Sequence, residues 1–418
     1  MTSAMNPRTG STVGVDTGPA VDRNGLGAIP AEVPSRACAR WQSLQRISVC
    51  HFSSIQRSLD YRSFYMESVP VAAMGLRPKF IAPHGINGLQ EGVDLASVRR
   101  PKQPAVRILL APLILLRLLR SRADIYQLHD PELLPVSLLL KLVFRKKVVY
   151  DSCEDFPLMM MTKPWIPRSL RSFVAKIVSC FEWLAARSLD GIVTADSATL
   201  RRFAKVGRSK KRVFYNFPRL DLFPEPKLAA KKFDVVYRGG LSVRAGTLIL
   251  LDAVGRLAEK GLPVSLLLIG YFDNDRAERL IRERIQALGP GVLVELRGKI
   301  DHSEMAEALA EAKIGVCPLQ AIPKFLNNIP VKVWEYWACG LPVIASDLPP
   351  IRPFFRICAG LLVKPDDPGE LAAAIGQLLH DPRAAERMGA NGRRAVEERL
   401  NNYSQVRGLL SFYKQVLS

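Results

Sequence analysis

The chain has 418 residues, 48% of them hydrophobic, which is too long for one ordinary domain and supplies apolar material for two or three cores. Its formal net charge of +20 favours anionic partners such as phosphorylated ligands or acidic lipid headgroups, while the lack of any zinc-finger or RNP-type pattern argues against nucleic acid. Seven cysteines without a CxxC pair and five scattered histidines exclude a disulfide framework as the expected scaffold, speak against a metal site, and suit reduced thiols in a cytoplasmic protein.

Residues 1–44 are rich in Gly, Ser, Thr and Pro and show no apolar signal-peptide core; they read as a disordered tail. From there, short apolar runs predict strands at 47–52, 79–83, 124–128, 147–150, 191–194 and 212–216. They are continuously apolar rather than alternating, as parallel strands covered on both faces must be. Helical spacing falls between them, at 133–144 and 170–188. The stretch "AVRILLAPLILLRLLRSR" (105–122) carries Arg107, Arg117, Arg120 and Arg122 and is too short to span a bilayer. It reads either as a basic amphipathic helix on a membrane surface or as a core helix with solvated arginines.

"FPRLDLFPEPKLAAKK" (217–232) has three prolines and reads as a linker. The pattern then restarts, with strands at 233–237, 264–269, 292–296, 314–318, 342–345 and 361–363. Helices are expected at 246–260, 275–288, 303–312, 368–380 and 383–399, the third opened by "DHSE" (301–304) as a capping box. Strand–helix–strand repetition in two series predicts two Rossmann-like domains in tandem, with ligands beyond the carboxyl ends of the strands.

Three stretches carry candidate chemistry. "YRGGLSVRAGT" (237–247) follows a strand and precedes a helix. Gly239 and Gly240 there suit an anion cradle, or simply a turn. In "FLNNIPVKVWEYWACGLPVIASDLPP" (325–350), Lys332 and Glu335 lie three apart on one helix face. Spacing alone also allows an ordinary surface ion pair. "YDSCEDFP" (150–157) gathers Asp151, Glu154 and Asp155 around Cys153 at a strand end, as a catalytic cluster, a metal site or a polar loop. Acidic neighbours raise a thiol pKa, which disfavours a covalent cysteine.

The run from Asn328 to Asp347 resembles the nucleotide-sugar motif of glycosyltransferase family 4, in the form N-x-P-x-K-x-x-E-Y-x-A-x-G-x-P-V-I-A-S-D. "QLHDPELLPVSLLLK" (127–141) and "DYRSFYME" (60–67) are similar to segments of the same family, of the bacterial polysaccharide-biosynthesis type. The resemblance covers roughly residues 46–415. It implies an α/β GT-B fold, two Rossmann-like doubly wound domains facing across a cleft. An acceptor-binding domain would occupy 45–216, a nucleotide-sugar-binding domain 233–400, and a helix at 401–418 would cross back to the first.

By this resemblance Glu335 accepts from the donor ribose, and Lys332 with Ile329, Pro330 and Val331 faces the diphosphate or sugar. Asn327 stands where many relatives carry a Glu, beside Asn328. Arg244 would reach the diphosphate, because Ala245 occupies the usual basic position, and Arg238 is a possible substitute. Cys153 replaces the usual His of "Y-D-x-H-E-D-x-P". Glu335, Arg244, Lys332 and Cys153 thus form the expected catalytic set. Asp60, Arg62, His129, Asp130, Glu132, Glu154 and Asp155 would meet the acceptor.

The implied reaction is retaining and metal-independent, with a nucleoside-diphosphate sugar as donor and no cofactor. The expected acceptor is a saccharide or lipid-linked saccharide in cell-surface polysaccharide synthesis. The expected location is the cytoplasm or, with an anionic membrane surface as partner, the inner face of the cytoplasmic membrane. Two rivals stand beside it: a nucleotide-sugar epimerase of the same architecture, and a nucleotide-binding scaffold without catalysis.

Overall fold

The computed structural model describes residues 47–54, 60–83, 85–98, 111–161, 163, 166–207, 210–225 and 231–418. The expected tail, residues 105–110 of the amphipathic stretch and residues 226–230 of the linker lie outside them.

The first series builds β1 (Ser48–Phe52), β2 (Arg77–Ala82), β3 (Gly88–Gln90), β4 (Val93–Ser97), β5 (Ile125–Leu128), β6 (Lys147–Ser152), β7 (Gly191–Thr194) and β8 (Lys211–Val213). They form one sheet in the order β3-β4-β2-β1-β5-β6-β7-β8. All pairs are parallel except β3–β4. A π-helical segment, Tyr61–Ser68, leads into α1 (Val69–Ala73). It is followed by α2 (Ala111–Ser121), α3 (Leu134–Leu142), α4 (Phe156–Met160), α5 (Arg171–Ser188) and α6 (Ser197–Arg201). β1 and β5 are adjacent but lead the chain to opposite sides, so the sheet has its switch point there.

The second series gives β9 (Phe233–Arg238), β10 (Val264–Ile269), β11 (Val292–Arg297), β12 (Ala312–Cys317), β13 (Val343–Ser346) and β14 (Gly360–Val363). Their order, β11-β10-β9-β12-β13-β14, is the doubly wound pattern with its switch point between β9 and β12. The helices are α7 (Thr247–Glu259), α8 (Asp275–Gln286), α9 (Met305–Ala310), α10 (Val331–Ala338), α11 (Arg352–Phe355), α12 (Pro368–His380) and α13 (Pro382–Glu398). Each sheet is the centre of its own apolar core.

The last helix, α14 (Asn402–Leu417), reaches back to the first domain. Asn402 Nδ2 donates to Met66 O at 2.7 Å, and Tyr413 OH to Gln127 Oε1 at 2.5 Å. Phe412 lies so close to Gly191 on β7 that a Cβ there would come within 2.7 Å of its ring.

One element was not foreseen and one local expectation differs from the structure. The β3–β4 hairpin was not legible, because its turn sets Glu91 at φ 47° and Gly92 at φ 77°. Two-residue hairpin turns need positive φ, and Glu is not a residue that advertises it. The "DHSE" capping box does not form either. α9 starts later, after Glu304, whose side chain makes no capping bond. His302 turns instead toward Tyr61 of the other domain, ring edge to ring face at 5.0 Å.

Candidate active site

The switch point of the second sheet builds one half of the site. β9 ends at Arg238, and the chain then turns at Gly239, with φ 129°. A Cβ at Gly239 would stand 3.1 Å from Lys332 Nζ, so the glycine admits the lysine to the loop. Gly240 is held similarly close under Asp273. At Gly246, φ is 78° and a Cβ would strike Pro318 O at 1.7 Å, so only glycine fits the entry to α7.

α10 is buried along almost its whole length, including Lys332 and Glu335. The surface-pair alternative is thereby removed, since the two do not pair with each other. The Lys332 ammonium lies 3.9 Å from the centre of the Tyr237 ring, an electrostatic contact with the ring face. Glu335 is fully buried and takes the Arg238 guanidinium on Oε1. Burial alone would lower the Arg238 pKa, but the Glu335 carboxylate outweighs it and the net direction is up. Among the described residues Glu335 Oε2 has no hydrogen-bond partner, a costly state for a buried carboxylate oxygen. Tyr61 closes this corner from the first domain: its hydroxyl is buried without a partner among the described residues and feels both Glu335 and Arg238.

The remaining donor-side residues lie on the rim. Arg244 is bound to Asp273 Oδ2 at 2.8 Å and is exposed. Asn327 Nδ2 donates to Pro323 O at 3.2 Å, and Asn328 N to Lys324 O at 3.1 Å. Ile329 and Pro330 are half-buried as the chain enters α10 at Val331. Pro330 gives the helix no side-chain cap, so its first N–H groups remain available to an anion.

On the acceptor side, most candidates have protein partners. His129 is buried, with Nδ1 3.0 Å from Asp151 Oδ2 and Nε2 3.0 Å from His51 Nδ1. Arg62 is buried and bidentate on Asp151, at 2.8 and 3.0 Å, and also donates to Phe214 O and Asn216. Asp60 caps the π-helical segment, and Asp155 caps α4. Asp130 accepts from Ser53 Oγ and Ser54 N, and Glu132 from Ser54 Oγ. Glu154 is exposed next to half-buried Cys153 at the end of β6. Burial, reinforced by the Asp151 charge, pushes the Cys153 thiol well up, which favours the protonated thiol over a thiolate.

Sequence reasoning did not foresee His51, Glu67, Tyr61 or His302 at the switch points. The donor atoms of His51, Glu67 and His129 lie within 4.8 Å of one another, close enough to suit an ion. Their chain separation hid the grouping from any motif. Hydrogen bonds already engage them: His51 Nδ1 with His129 Nε2, and Glu67 Oε2 with Gln127 at 2.5 Å.

Two doubly wound domains meeting at the carboxyl ends of their strands define a GT-B protein. Comparison with solved structures agrees. The sucrose-phosphate synthase of Thermosynechococcus elongatus superposes with a TM-score of 0.69 at 19% identity, covering 88% of this chain and 99% of that one. HepE of Anabaena in complex with UDP gives 0.67 at 16% identity, with the same two coverages. At such identities the likeness establishes the fold. The sequence carries the second step: residues 232–381 match the model "Glycosyl transferases group 1". The chain is also similar to an MMP alpha-(1->4)-mannosyltransferase of Mycolicibacterium hassiacum, 32% identical over 173 residues. That match spans 40% of this chain and only 39% of the relative's length.

Proposed function

We propose that the protein is a glycosyltransferase that moves a sugar from a nucleoside-diphosphate sugar to a saccharide or lipid-linked saccharide acceptor, with retention and without a metal. The observation that carries this is the half-paired Glu335. One oxygen is held by Arg238, and the other is buried with no partner among the described residues. Two adjacent ribose hydroxyls are the donors such an oxygen can accept from at the end of a nucleotide-binding strand. The Gly239 turn, Lys332 and the uncapped start of α10 supply positive potential where diphosphate charge builds up in transfer. The enzyme then has to align two substrates and stabilise the leaving diphosphate, and needs no nucleophile of its own. The family match at 232–381, the mannosyltransferase similarity and the UDP bound to HepE support the same class of donor. A setting in cell-surface polysaccharide synthesis, at the inner face of the membrane, follows if the acceptor is lipid-linked.

Calorimetry with a panel of nucleoside diphosphates, each as the ribo- and the 2′,3′-dideoxy form, tests the site. Glu335→Ala is expected to weaken the preferred ribonucleotide about 10- to 100-fold, the value of one or two charge-assisted bonds. It should also erase the preference over the dideoxy form. Unchanged affinity and preference would remove Glu335 from the donor site. One alternative has its own observation: Ala245 is apolar and Arg244 is tied to Asp273, which suits nucleotide binding without transfer. Product analysis with donor and acceptor present separates the two.

A further inference from the structure

The first domain carries an apolar face that its own core does not use. α5 has 18 residues but buries only Glu182, Ala185 and Ala186. Its outward side presents Phe173, Ile177, Phe181 and Leu184, with Phe173 62% exposed. Their spacing of four, four and three puts them on one stripe. A helix on a globular domain ordinarily turns such a stripe toward the core; α5 turns it outward. α3 packs beside α5, and α2 beside α3. Where α3 ends, Leu142 and Val143 are 65% and 63% exposed. Of the 19 large hydrophobic residues exposed among the described ones, 12 fall within residues 111–188. This is a concentrated patch and not the usual scatter.

Charge selects the occupant. Residues 111–121, 134–147 and 168–188 contain ten Lys and Arg and one carboxylate, Glu182. That carboxylate is buried and taken by Tyr150 and Arg202; Lys141 is paired with Asp190 just beyond α5, and the remaining rim of the apolar stripe is strongly basic. A second copy of the chain, meeting the first about a two-fold axis, would set this rim against itself. An acidic lipid surface instead offers hydrocarbon to the stripe and phosphate to the rim. The Trp183–Arg187 pair, with the guanidinium 4.8 Å from the ring centre, has the chemistry of a headgroup-level anchor.

We propose that the α3–α5 face docks on an anionic lipid bilayer. This deepens the lipid-linked acceptor reading and rests on it for its purpose, but binding itself needs no catalysis. α5 follows β6 and α4, so its first turn lies toward the strand ends that carry Cys153 and Glu154, and the helix runs about 27 Å away from that edge. Lipid headgroups on the stripe would therefore stand beside the acceptor rim of the cleft.

The test is co-sedimentation of the full chain with phosphatidylcholine vesicles, with and without phosphatidylglycerol. The expected result is binding that requires phosphatidylglycerol, weakens as salt rises, and falls at least about tenfold in an Ile177→Asp/Phe181→Asp variant, which removes two apolar anchors. Lys176→Glu/Arg187→Glu should lose the dependence on phosphatidylglycerol. Circular dichroism must show each variant folded, and light scattering gives its mass. Glu335→Ala should bind vesicles like the parent, so failure of the donor-site reading leaves this result distinct. Equal binding by parent and apolar-stripe variant, no binding of the parent at low salt, or a parent dimer that becomes monomeric in the stripe variant would each overturn the proposal.

Discussion

Single residues at the two switch points are held by burial and charge in opposition. Asp151 and Glu67 are both fully buried and both close to Arg62, at 2.8 Å and 3.4 Å. Burial alone would raise the Asp151 carboxyl, but the Arg62 charge and bonds from His129 and Arg62 outweigh it, and it lies below the usual carboxylate range. For Glu67, burial and the neighbouring Asp151 charge prevail over Arg62 and push it well above its ordinary 4.5. The signs are therefore opposite. Asp151 contributes stability that is present above its ordinary value and lost as pH falls through its depressed one. Glu67 contributes stability that is full below 4.5 and is lost as pH rises through its raised value. Glu67→Gln removes the second dependence. Its melting temperature relative to the parent should accordingly climb as pH rises above 4.5, by a few degrees at roughly 2–4 °C per kcal/mol. A constant difference across that range in thermal melts would show that Glu67 does not titrate as buried.

At the scale of elements, the donor domain depends on a glycine entry to α7 that has two separable requirements. Gly246 and Gly261 have nearly the same backbone, at φ 78° and 81°, but different surroundings. A Cβ at Gly246 meets Pro318 O at 1.7 Å, whereas at Gly261 it meets nothing within 4 Å. Gly261→Ala should therefore cost about 1 kcal/mol from the left-handed backbone alone. Gly246→Ala adds a backbone collision and should cost roughly 2–4 kcal/mol in urea denaturation. Equal costs would mean that the loop after β12 yields freely, and that the cradle is softer than its geometry implies. The elements themselves were largely legible. β10 and α12 fall at the expected residues, and most others within two or three, because continuous apolar runs and 3.6-residue spacing reflect burial directly. The β3–β4 hairpin and the start of α9 were not, since a positive-φ glutamate and a histidine drawn toward Tyr61 leave no local signal.

Across the whole molecule, α14 ties the two domains through a buried relay: Tyr413 OH donates to Gln127 Oε1, and Gln127 Nε2 donates to Glu67. The C-terminal helix thus touches the same polar cluster that His129 and Asp151 enter. Tyr413→Phe leaves the Gln127 carbonyl buried without that donor, at a cost of about 1–3 kcal/mol. Faster amide exchange should then appear at Ile125–Leu128, on β5 of the other domain. Unchanged protection there would show that α14 rests on the first domain without clamping it.

The sequence by itself determined two parallel-sheet domains, their order, the glycine turn after β9, and the helix that carries Lys332 and Glu335. Each of these depends on residues close together in the chain, where period and turn chemistry act. Only the tertiary structure decided what those residues meet. Glu335 pairs with Arg238 and not with Lys332, Arg62 and His129 converge on Asp151, and the α5 stripe faces outward. Partners 22 to 97 positions apart are brought together by strand order. A helical stripe likewise has the same spacing whether it is buried or exposed, so only the packed neighbours reveal which side the core takes.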